Sequence, residues 1–367
     1  MTEGRSLRVA VLGCGYWGSK HARVLHGLES VETLVVVDAD AERVQRVCAS
    51  LPGAIGFTNL DDAFEEIDAA VVATPPTTHA PMAMRLIEAG KHVLVEKPMA
   101  ADSADARRMI AAAAARDVVL MVGHTFEYHS AVWMLRDMVQ TGDIGDLYYV
   151  DSARLNLGLY QSDVNVIYDL APHDISIFNH ILGRKPTAVH AWASRNAHPF
   201  LEDVAYLRLY YSDPDVCANI HVSWLDPAKV RRVTVVGSKK MVVYNDLATD
   251  ERIRVHDKGV IHSQAHGDET QPPMSYRYGD VIAPYLTVNE PLKVEDQHFV
   301  DCAISGERPQ THGENGLAVV EVLEGAQRSL LEGTSVPLGD SLTPTPPADE
   351  SPIPVGSDLV MDGTTRR

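Results

Sequence analysis

Hydrophobic residues in the first third of the chain form short valine-rich runs, separated by longer stretches that mix polar and apolar positions. Continuous apolar runs are typical of parallel strands buried on both faces, which crossover helices connect. The predicted strands are Leu7–Leu12, Thr33–Val37, Ala69–Thr74, His92–Val95 and Val118–Val122. The predicted helices between them are Gly18–Leu28, Ala41–Ser50, His79–Ala89 and Ser103–Ala115. This alternation indicates a doubly wound α/β sheet of the Rossmann type.

The pattern changes after about Gly123, where several strands follow one another without helices between them. The predicted strands there are Leu147–Leu155, Ala188–Ser194, Val204–Tyr211, Val216–Trp224, Arg231–Val236 and Met241–Asn245. Helices are predicted at Ser130–Thr141, after Asp169, at Val294–Ala303 and at Gly316–Glu332. Short polar turns between successive strands favour antiparallel pairing. We therefore predict an α+β domain with a large, mostly antiparallel open sheet.

The chain divides into two predicted domains and a tail. At roughly 150 residues per domain, a length of 367 residues fits two domains. We predict a dinucleotide-binding domain at 1–123 and a substrate-binding and oligomerisation domain at 124–335. The remaining residues, 336–367, include Pro337–Pro354 with six prolines, a composition typical of disordered segments.

Composition and charge exclude several classes of protein. Hydrophobic residues make up 45% of the chain and charged residues 22%, which are ordinary values for a globular protein. The formal net charge of −18, without a local basic patch, argues against nucleic acids and anionic membranes as partners. The longest apolar stretches, such as Met109–Ala115, are well short of the roughly 20 residues that span a bilayer. We expect a cytoplasmic protein.

The cysteines and histidines do not form a metal-binding pattern. Cys14, Cys48, Cys217 and Cys302 lie far apart without a CxxC pair, which argues against a disulfide framework and a structural zinc site. His298 and Cys302 lack further ligands at useful spacing. We predict a reducing compartment and no metal.

A glycine-rich turn directly follows the first predicted strand. Gly13, Gly15 and Gly18 form a GxGxxG pattern that encloses Tyr16 and Trp17. In a strand–turn–helix context the first glycine allows a tight turn, the second lets a pyrophosphate approach the backbone, and the third allows close helix packing. Unpaired N–H groups at the helix N-terminus attract the phosphates. We expect all five residues to contact a dinucleotide, and the alternative is a set of glycines that only turns the chain.

An acidic residue, Asp38, stands twenty residues after Gly18 at the end of the second apolar run. A carboxylate at this position accepts hydrogen bonds from the ribose hydroxyls of the adenosine half and repels a 2′-phosphate. Asp38 therefore favours NAD over NADP. The alternative is that Asp38 only caps the next helix.

Lys97 lies in the sequence Glu96-Lys97-Pro98, directly after a predicted parallel strand. Ligands of open α/β sheets bind at the carboxyl ends of the strands. A lysine there can hydrogen-bond a substrate oxygen, and it can move a proton if burial lowers its pKa. Pro98 is a candidate for a cis peptide bond. The alternative is a solvated loop lysine.

Asp169 and His173 lie four residues apart, before the helical run Ile175–Leu182. With Asp169 as the N-cap, Pro172 falls in the first turn and His173 lies about one turn above the aspartate. The positive end of the helix dipole then favours the neutral imidazole, which can accept a proton from an alcohol. We predict that His173 is a general base, and the alternative gives both residues structural roles.

Together these motifs resemble the Gfo/Idh/MocA family, which includes glucose-fructose oxidoreductase and inositol dehydrogenase. The resemblance covers roughly residues 7–335, and its specific parts are the GxGxxG turn, Ala73-Thr74-Pro75-Pro76 with His79, Glu96-Lys97-Pro98, and Asp169 followed by His173. It implies that a nicotinamide cofactor binds the N-terminal domain and that a sugar or polyol carbon lies between nicotinamide, lysine and histidine. It further implies an acid/base pair of Lys97 and His173 oriented by Asp169. The residues that it places along the cofactor are Thr74, Pro75, His79, Glu96 and Lys97.

Within the family, the chain looks most similar to sugar-nucleotide 3-dehydrogenases, which oxidise the 3-hydroxyl of a UDP-N-acetylamino sugar. The similarity rests on Gly15-Tyr16-Trp17-Gly18, on the segment 155–165, on Val222-Ser223-Trp224, and on Gly279-Asp280-Val281 before Glu290-Pro291-Leu292. Polar residues that flank the catalytic helix would bind the hydroxyls and amides of the substrate, although a turn or surface role is open for each. They are Arg154, Asn156, Gln161 and Asn165. Lys97 and His173 would also contact the substrate.

We predict NAD-dependent oxidation of a secondary hydroxyl, with C3 of a UDP-N-acetylamino sugar as the expected position. Such a reaction needs a hydride acceptor on one face of the carbon and a base on the hydroxyl. Two alternatives are an inositol, aminocyclitol or glycoside dehydrogenase of the same family, and a regulator that binds NAD without chemistry. A tightly held NAD recycled in place is a third. We expect a homodimer or homotetramer through the C-terminal sheet.

Overall fold

The valine-rich runs of the first third form one parallel sheet of six strands. The strands are β1 (Leu7–Leu12), β2 (Val31–Val37), β3 (Ile55–Phe57), β4 (Ala69–Val72), β5 (His92–Glu96) and β6 (Leu120–Gly123). They lie in the order β3-β2-β1-β4-β5-β6. The crossover helices are α1 (Tyr16–His26), α2 (Ala41–Ser50), α3 (His79–Glu88) and α4 (Ser103–Arg116). The Rossmann prediction is confirmed, and the reversal of strand order places a ligand crevice at the carboxyl ends of β1 and β4.

The computed structural model describes residues 6–158, 160–161, 164–212, 215–262, 274–287 and 289–339. No helix in these ranges is both long enough and apolar enough to cross a bilayer. The predicted tail begins in an ordered element, because Val336–Pro337 forms strand β15 and pairs with residues 188–189 of the second sheet. The rest of the predicted tail, from residue 340 onward, lies outside the described residues.

The second sheet has nine strands and open edges. Its other strands are β7 (Leu147–Leu157), β8 (Ala188–Ser194), β9 (Val204–Tyr211), β10 (Val216–Ser223), β11 (Leu225–Gly237), β12 (Met241–Asn245), β13 (Ile253–His262) and β14 (Met274–Ile282). The order is β14-β13-β12-β11-β7-β10-β9-β8-β15, in which β7 and β10 are parallel and the other pairs antiparallel. The predicted mostly antiparallel sheet is confirmed.

Four strands were missing from the sequence prediction: β3, β13, β14 and the two-residue β15 at the start of the predicted tail. β3 has only three residues, of which Ile55 and Gly56 are exposed, so it shows no hydrophobic period. β13 and β14 form an edge hairpin in which exposed residues such as Tyr276 and Tyr278 replace a continuous apolar run. Whether such a segment forms a strand depends more on its neighbours in the sheet than on its own sequence.

Four further helices complete the fold. They are α5 (Ser130–Gln140), α6 (Val166–Leu182), α7 (Pro291–Ser305) and α8 (Gly313–Glu332). α5, α6 and α8 contribute to the core of the second sheet, where Ile177 and Leu323 pack with Leu207. α7 instead packs against the first sheet, and its Phe299 and Val300 are fully buried there. The C-terminal helices therefore hold the two sheets together, with α8 in contact with both.

Candidate active site

The glycine turn after β1 is closely packed at its two ends and open in the middle. Gly13 has a φ of +93°, and a Cβ there would lie 2.7 Å from the carbonyl oxygen of Ala73. A Cβ at Gly18 would collide with the carbonyl oxygen of Gly13. A Cβ at Gly15, in contrast, would meet no atom within 4 Å. The open position is therefore the one at which a pyrophosphate is expected to approach.

The N-terminus of α1 fits an anionic ligand. No side chain caps this end of the helix, and its first turn has no acidic residue. Its N–H groups are free to bind phosphate oxygens. Tyr16 and Trp17 form the first turn and are 72% and 38% exposed, with the Lys20 Nζ 4.7 Å from the centre of the tyrosine ring. The turn thus offers both N–H donors and a positive charge to a dinucleotide.

Asp38 lies beside the same turn. Its Oδ2 accepts a hydrogen bond from the backbone N of Cys14 at 2.6 Å, and its Oδ1 accepts one from the N of Asp40 at 2.9 Å. The residue that caps α2 is Asp40, which accepts from Glu42 and Arg43. Asp38 therefore fixes the end of β2 to the glycine turn, where the ribose of a bound dinucleotide is expected.

The loops after β4 and β5 are joined by a buried histidine. The His79 Nε2 lies 2.8 Å from the carbonyl oxygen of Thr74, and its Nδ1 lies 2.8 Å from the carbonyl oxygen of Pro98. Thr74 also accepts a hydrogen bond on its Oγ1 from Thr78. The His79 side chain is 1% exposed, so it supports Thr74, Pro75 and the Lys97 loop from the interior of the protein.

Lys97 reaches from the first domain to α6. Its Nζ donates a hydrogen bond to the carbonyl oxygen of Asp169 at 2.9 Å, and its backbone N donates to Glu96 Oε2 at 2.9 Å. The Lys97–Pro98 peptide bond is cis, as predicted. Burial lowers the pKa of Lys97, while Asp169 and Glu96 act in the opposite direction. The lysine is half-buried, which rules out the alternative of a solvated loop residue.

The prediction that Asp169 caps α6 is wrong. The N-cap is Asn165, whose side chain accepts a hydrogen bond from the N of Tyr168, so the helix begins at Val166. Pro172 consequently lies inside the helix, where it removes one backbone hydrogen bond. Lys97 binds a helix carbonyl in this weakened turn. The helix dipole therefore does not explain the state of His173, which lies about two turns from the N-terminus.

His173 is nevertheless held in the neutral form. Its Nδ1 is buried and has no hydrogen-bond partner among the described residues. Burial lowers the pKa of His173 well below its ordinary value, and Lys97 and Arg154 add to this effect. On the same face, Asp169 accepts a hydrogen bond on Oδ2 from Trp224 Nε1 at 2.9 Å. The predicted neutral base is thus supported by burial and by neighbouring cations.

The four side chains predicted to contact the substrate differ in their surroundings within the protein. Arg154 donates from Nε and Nη2 to Asp174 at 2.8 and 3.1 Å, and both side chains are buried. Asn165 caps α6 and also donates to Glu202 at 2.8 Å. Asn156 and Gln161 are half-buried. Arg154 and Asn165 are therefore bound to carboxylates inside the protein.

A buried ionic network behind Lys97 was not predicted from the sequence. His21 donates from Nδ1 to Asp296 Oδ1 at 2.7 Å and from Nε2 to Glu96 Oε1 at 3.2 Å. Although burial opposes it, the two carboxylates raise the pKa of His21 well above its ordinary value. Glu96, which was predicted to line the cofactor, thus uses both oxygens within the protein, for His21 and for the N of Lys97. The network connects α1, β5 and α7.

A second histidine at the site was also missed. His124 follows β6 and continues the register in which Glu96 pairs with Gly123, so it lies beside Lys97. It is 1% exposed, and neither ring nitrogen has a hydrogen-bond partner among the described residues. Burial lowers its pKa to about 4. The rule that identified Lys97, a polar residue at the carboxyl end of a parallel strand, would also have identified His124.

No group of His, Cys, Asp and Glu side chains suited to a metal ion occurs in the part of the chain that the structure describes. His298 and Cys302, which the sequence analysis considered as ligands, have their ring Nε2 and Sγ 3.6 Å apart. His298 also accepts a hydrogen bond from the N of Gln310 at 3.0 Å, so it is engaged in the protein.

The chain is similar to curated oxidoreductases. A UDP-N-acetylglucosamine 3-dehydrogenase from Acidithiobacillus ferrooxidans is 34% identical over 186 residues, which are 50% of this chain and 57% of the relative. An inositol 2-dehydrogenase from Rhodococcus erythropolis is 29% identical over 195 residues, which are 52% of this chain and 56% of the relative. The aligned parts thus span little more than half the length of these two relatives.

Solved structures match over nearly the whole chain. GenD2 from gentamicin A biosynthesis, crystallised in complex with NAD, has a TM-score of 0.77 and 26% identity, covering 92% of this chain and 98% of GenD2. The WlbA dehydrogenase from Bordetella pertussis, in complex with NADH and UDP-GlcNAcA, has a TM-score of 0.75 and 22% identity, covering 92% of this chain and 99% of WlbA. The WlbA likeness shows a shared fold.

Family models match both parts of the chain. Residues 7–124 match the model described as an oxidoreductase family with an NAD-binding Rossmann fold. Residues 132–243 match the model of the GFO/IDH/MocA C-terminal domain. The matched ranges together exceed half of the chain and contain the glycine turn, Lys97 and His173. The chain therefore belongs to the Gfo/Idh/MocA family of NAD-binding oxidoreductases.

Proposed function

We propose that this enzyme oxidises a secondary hydroxyl of a sugar with NAD, using His173 as the general base and Lys97 as its partner. The observation that carries the proposal is the hydrogen bond from Lys97 Nζ to the Asp169 carbonyl at 2.9 Å, one helical turn before His173. It brings together an amine from the nucleotide-binding domain and an imidazole from the second domain. An NAD-binding regulator without chemistry would have no need for this convergence.

The two side chains have complementary roles in the proposed reaction. Neutral His173 accepts the proton of the substrate hydroxyl, because burial keeps its pKa low enough for the base form at neutral pH. The Lys97 ammonium donates a hydrogen bond to the same oxygen and stabilises the negative charge that develops on it. The Asp169 carbonyl holds the ammonium in place. NAD, when bound, supplies the hydride acceptor.

We further propose a UDP-N-acetylamino sugar as the substrate, oxidised at C3. The 34% identity to a UDP-N-acetylglucosamine 3-dehydrogenase supports this choice, as does the likeness to WlbA, whose structure holds UDP-GlcNAcA. Asn156 and Gln161 are the polar side chains expected to contact the sugar. Inositol dehydrogenases among the relatives keep an unlinked polyol as the second candidate.

The test measures NADH formation by the purified protein with three compounds. They are UDP-N-acetylglucosamine, the corresponding uronate, and myo-inositol. We expect turnover with one of the two sugar nucleotides, and turnover with myo-inositol alone would contradict the substrate. Each reaction is run with and without added NAD, so that a cofactor retained through purification is detected as well.

The role of Lys97 is tested with the variant Lys97→Met, which keeps the length of the side chain and removes the ammonium. We expect it to abolish turnover and to leave NAD affinity within a few fold, because the proposed contacts to the dinucleotide lie mostly at the glycine turn. Unchanged turnover would remove Lys97 from the mechanism. A loss of NAD binding would point to a structural role instead.

We propose self-association through the outer face of the second sheet as a dimer or tetramer. Trp192, Tyr206 and His221 lie side by side on β8, β9 and β10, and the rings of Tyr206 and His221 stack with centres 4.0 Å apart. Trp192 is 55% and Tyr206 49% exposed. A row of exposed aromatic rings across three strands is typical of a protein interface.

We also propose that the enzyme works in the cytoplasm. All four cysteines are free thiols, which suits a reducing compartment. Reliance on NAD places it where the dinucleotide is available. Its partners are then the cofactor, the sugar and further copies of the chain.

A further inference from the structure

His173 and three neighbouring side chains form a closed structural unit. The Phe126 ring meets the His173 ring edge to face, with centres 5.1 Å apart and planes at 71°. The Arg154 guanidinium lies over the same phenyl ring, 4.6 Å from its centre. Arg154 is in turn bonded through two nitrogens to Asp174, the residue that follows His173 on α6. The unit therefore begins and ends at the catalytic helix.

The geometry of this unit restricts the His173 ring. Arg154 and Asp174 are both buried, so their paired hydrogen bonds hold the guanidinium plane in one orientation. A guanidinium fixed over Phe126 fixes the phenyl ring through the cation–π contact. The phenyl edge then packs against the imidazole. Two of the five guanidinium N–H groups already serve Asp174, and Arg154 is only 6% exposed, so little of the side chain is accessible to a substrate.

We propose that Arg154 is a positioning residue for His173, which acts through Phe126 and through its charge and makes no contact with the substrate. The inference rests on the proposed function in that it takes His173 as the general base. It reassigns Arg154, which the sequence pattern suggested as a substrate contact. It also explains why a buried arginine and a buried aspartate flank the catalytic histidine.

The charge of Arg154 is one of several that face His173. Besides burial, which is the largest cause, the groups that lower the pKa of His173 are Lys97 after β5, Arg154 on β7, Arg231 on β11 and His124 after β6. Each lies on an element other than α6. Of the three cations among these groups, Arg154 also contacts the ring that touches His173. Its removal should therefore change both the charge state and the position of the imidazole.

The test is an NMR titration of His173 in histidine-labelled protein, with the signal assigned from its loss in His173→Gln. The variant Arg154→Gln/Asp174→Asn replaces the ion pair with two amides and leaves the net charge unchanged. We expect the pKa of His173 to rise by roughly 0.5 to 1 unit, because the lost Arg154 cation is one of the main causes that lower this pKa, whereas the lost Asp174 carboxylate is not among the main causes. An unchanged pKa in the folded variant would overturn the proposal.

A distant ion pair gives the matched control. Arg107 and Glu321 join α4 to α8 with an N–O distance of 2.6 Å, and Arg107→Gln/Glu321→Gln makes the same change of charge there. We expect the pKa of His173 to be the same in this control as in the wild type. A shift of similar size in the control would show that the effect is not specific to Arg154, and it would also overturn the proposal.

Two single variants keep the test decisive if the double variant does not fold. Arg154→Lys retains the charge and loses the planar contact, and Phe126→Leu retains the ion pair and loses the ring. For both we expect the pKa of His173 to be nearly unchanged and kcat to fall by about tenfold with little change in KM, since the base is misplaced. An Arg154→Lys variant with raised KM and unchanged kcat would show substrate contact and contradict the proposal. The titration needs no substrate, so it remains informative if none of the tested sugars turns over.

Discussion

The buried histidines differ in what their ring nitrogens contact. His21 gives both nitrogens to carboxylates, and His79 has a carbonyl oxygen beside each nitrogen. His124 is equally buried, but neither nitrogen has a hydrogen-bond partner among the described residues. Leaving a buried polar group unsatisfied costs about 1 to 3 kcal/mol. Groups that reduce stability in this way are concentrated at functional sites, and His124 lies next to Lys97.

We predict that His124→Phe stabilises the protein, and more so in acid. Because the folded state holds the pKa of His124 at about 4, while an unfolded histidine titrates near 6.5, the unfolded wild type binds more protons below that pH. The wild type therefore loses stability as the pH falls, and the phenylalanine variant avoids this contribution. We expect the difference in free energy of unfolding to grow by about 2 kcal/mol between pH 7 and pH 5.

Urea unfolding at several pH values measures this difference. His26→Phe is a suitable control, because His26 lies on the exposed C-terminal turn of α1. The control should show no comparable dependence on pH. A constant difference between wild type and His124→Phe across this range would contradict the assignment of a neutral buried imidazole.

Single residues were predictable where position in a strand or turn determines their role. Lys97 could be identified because it lies at the end of β5. Gly13 and Gly18 could be identified from the spacing of the glycine turn. His21 and Asp296 could not be predicted as a pair, because they lie 275 residues apart and meet only through the packing of α7 on α1. Arg154 was recognised as a polar residue near the site, but its partner Asp174 was not.

At the scale of elements, α6 determines the geometry of the site. Asn165 starts the helix, Pro172 weakens its middle, and Lys97 binds the carbonyl of Asp169 between them. The sequence prediction began the helix at Asp169, because an aspartate before a proline in the first turn is a common start. Asn165 fits the same capping preference and lies one turn earlier. Its hydrogen bond to Glu202 comes from a distant strand connection, so local pattern could not decide between the two.

We predict that Asn165→Ala destabilises the protein by about 1 to 2 kcal/mol, because α6 loses its cap and Glu202 loses a hydrogen-bond donor. The variant should also lower kcat, since the cap fixes the helix that carries His173. Asp40→Ala, which removes the N-cap of α2, is the matched control. We expect it to cost about 1 kcal/mol with no change in kcat.

Urea unfolding and steady-state kinetics on both variants measure these effects. Equal kcat values for Asn165→Ala and the wild type would show that the position of His173 does not depend on the cap. Equal loss of kcat in both variants would show that the effect follows general stability and not the geometry of α6.

At the scale of the whole molecule, the second sheet has one face covered by helices and one face that the described residues leave uncovered. Ala191, Leu207 and Ile220 point to the helices and are buried. Trp192 and Tyr206 occupy alternate positions on the other face and are about half exposed. The prediction of an open sheet came from strands that follow one another without helices. To predict which side chains lie together on its outer face, the pairing register of the strands is needed, and the local sequence does not give that register.

We predict that Tyr206→Glu lowers the molar mass in solution, because it places a charge in the centre of the aromatic row. Light scattering coupled to size exclusion should give a multiple of 40.1 kDa for the wild type and a smaller mass for the variant. Leu331→Glu is the control, since Leu331 is 81% exposed on α8 and lies away from this face. A wild type of 40.1 kDa would contradict self-association.

The packing of α7 on the first sheet has a consequence for synthesis of the chain. Phe299, Val300 and Cys302 complete the core around β1 and α1, and Asp296 is the partner of buried His21. We therefore expect that the nucleotide-binding half does not finish folding on a ribosome when residue 123 emerges, because its core also needs a helix about 180 residues later. A fragment ending at Gly123 would expose an apolar surface and a buried charge without its counterion. We expect the dinucleotide site to mature only after α7 has been synthesised.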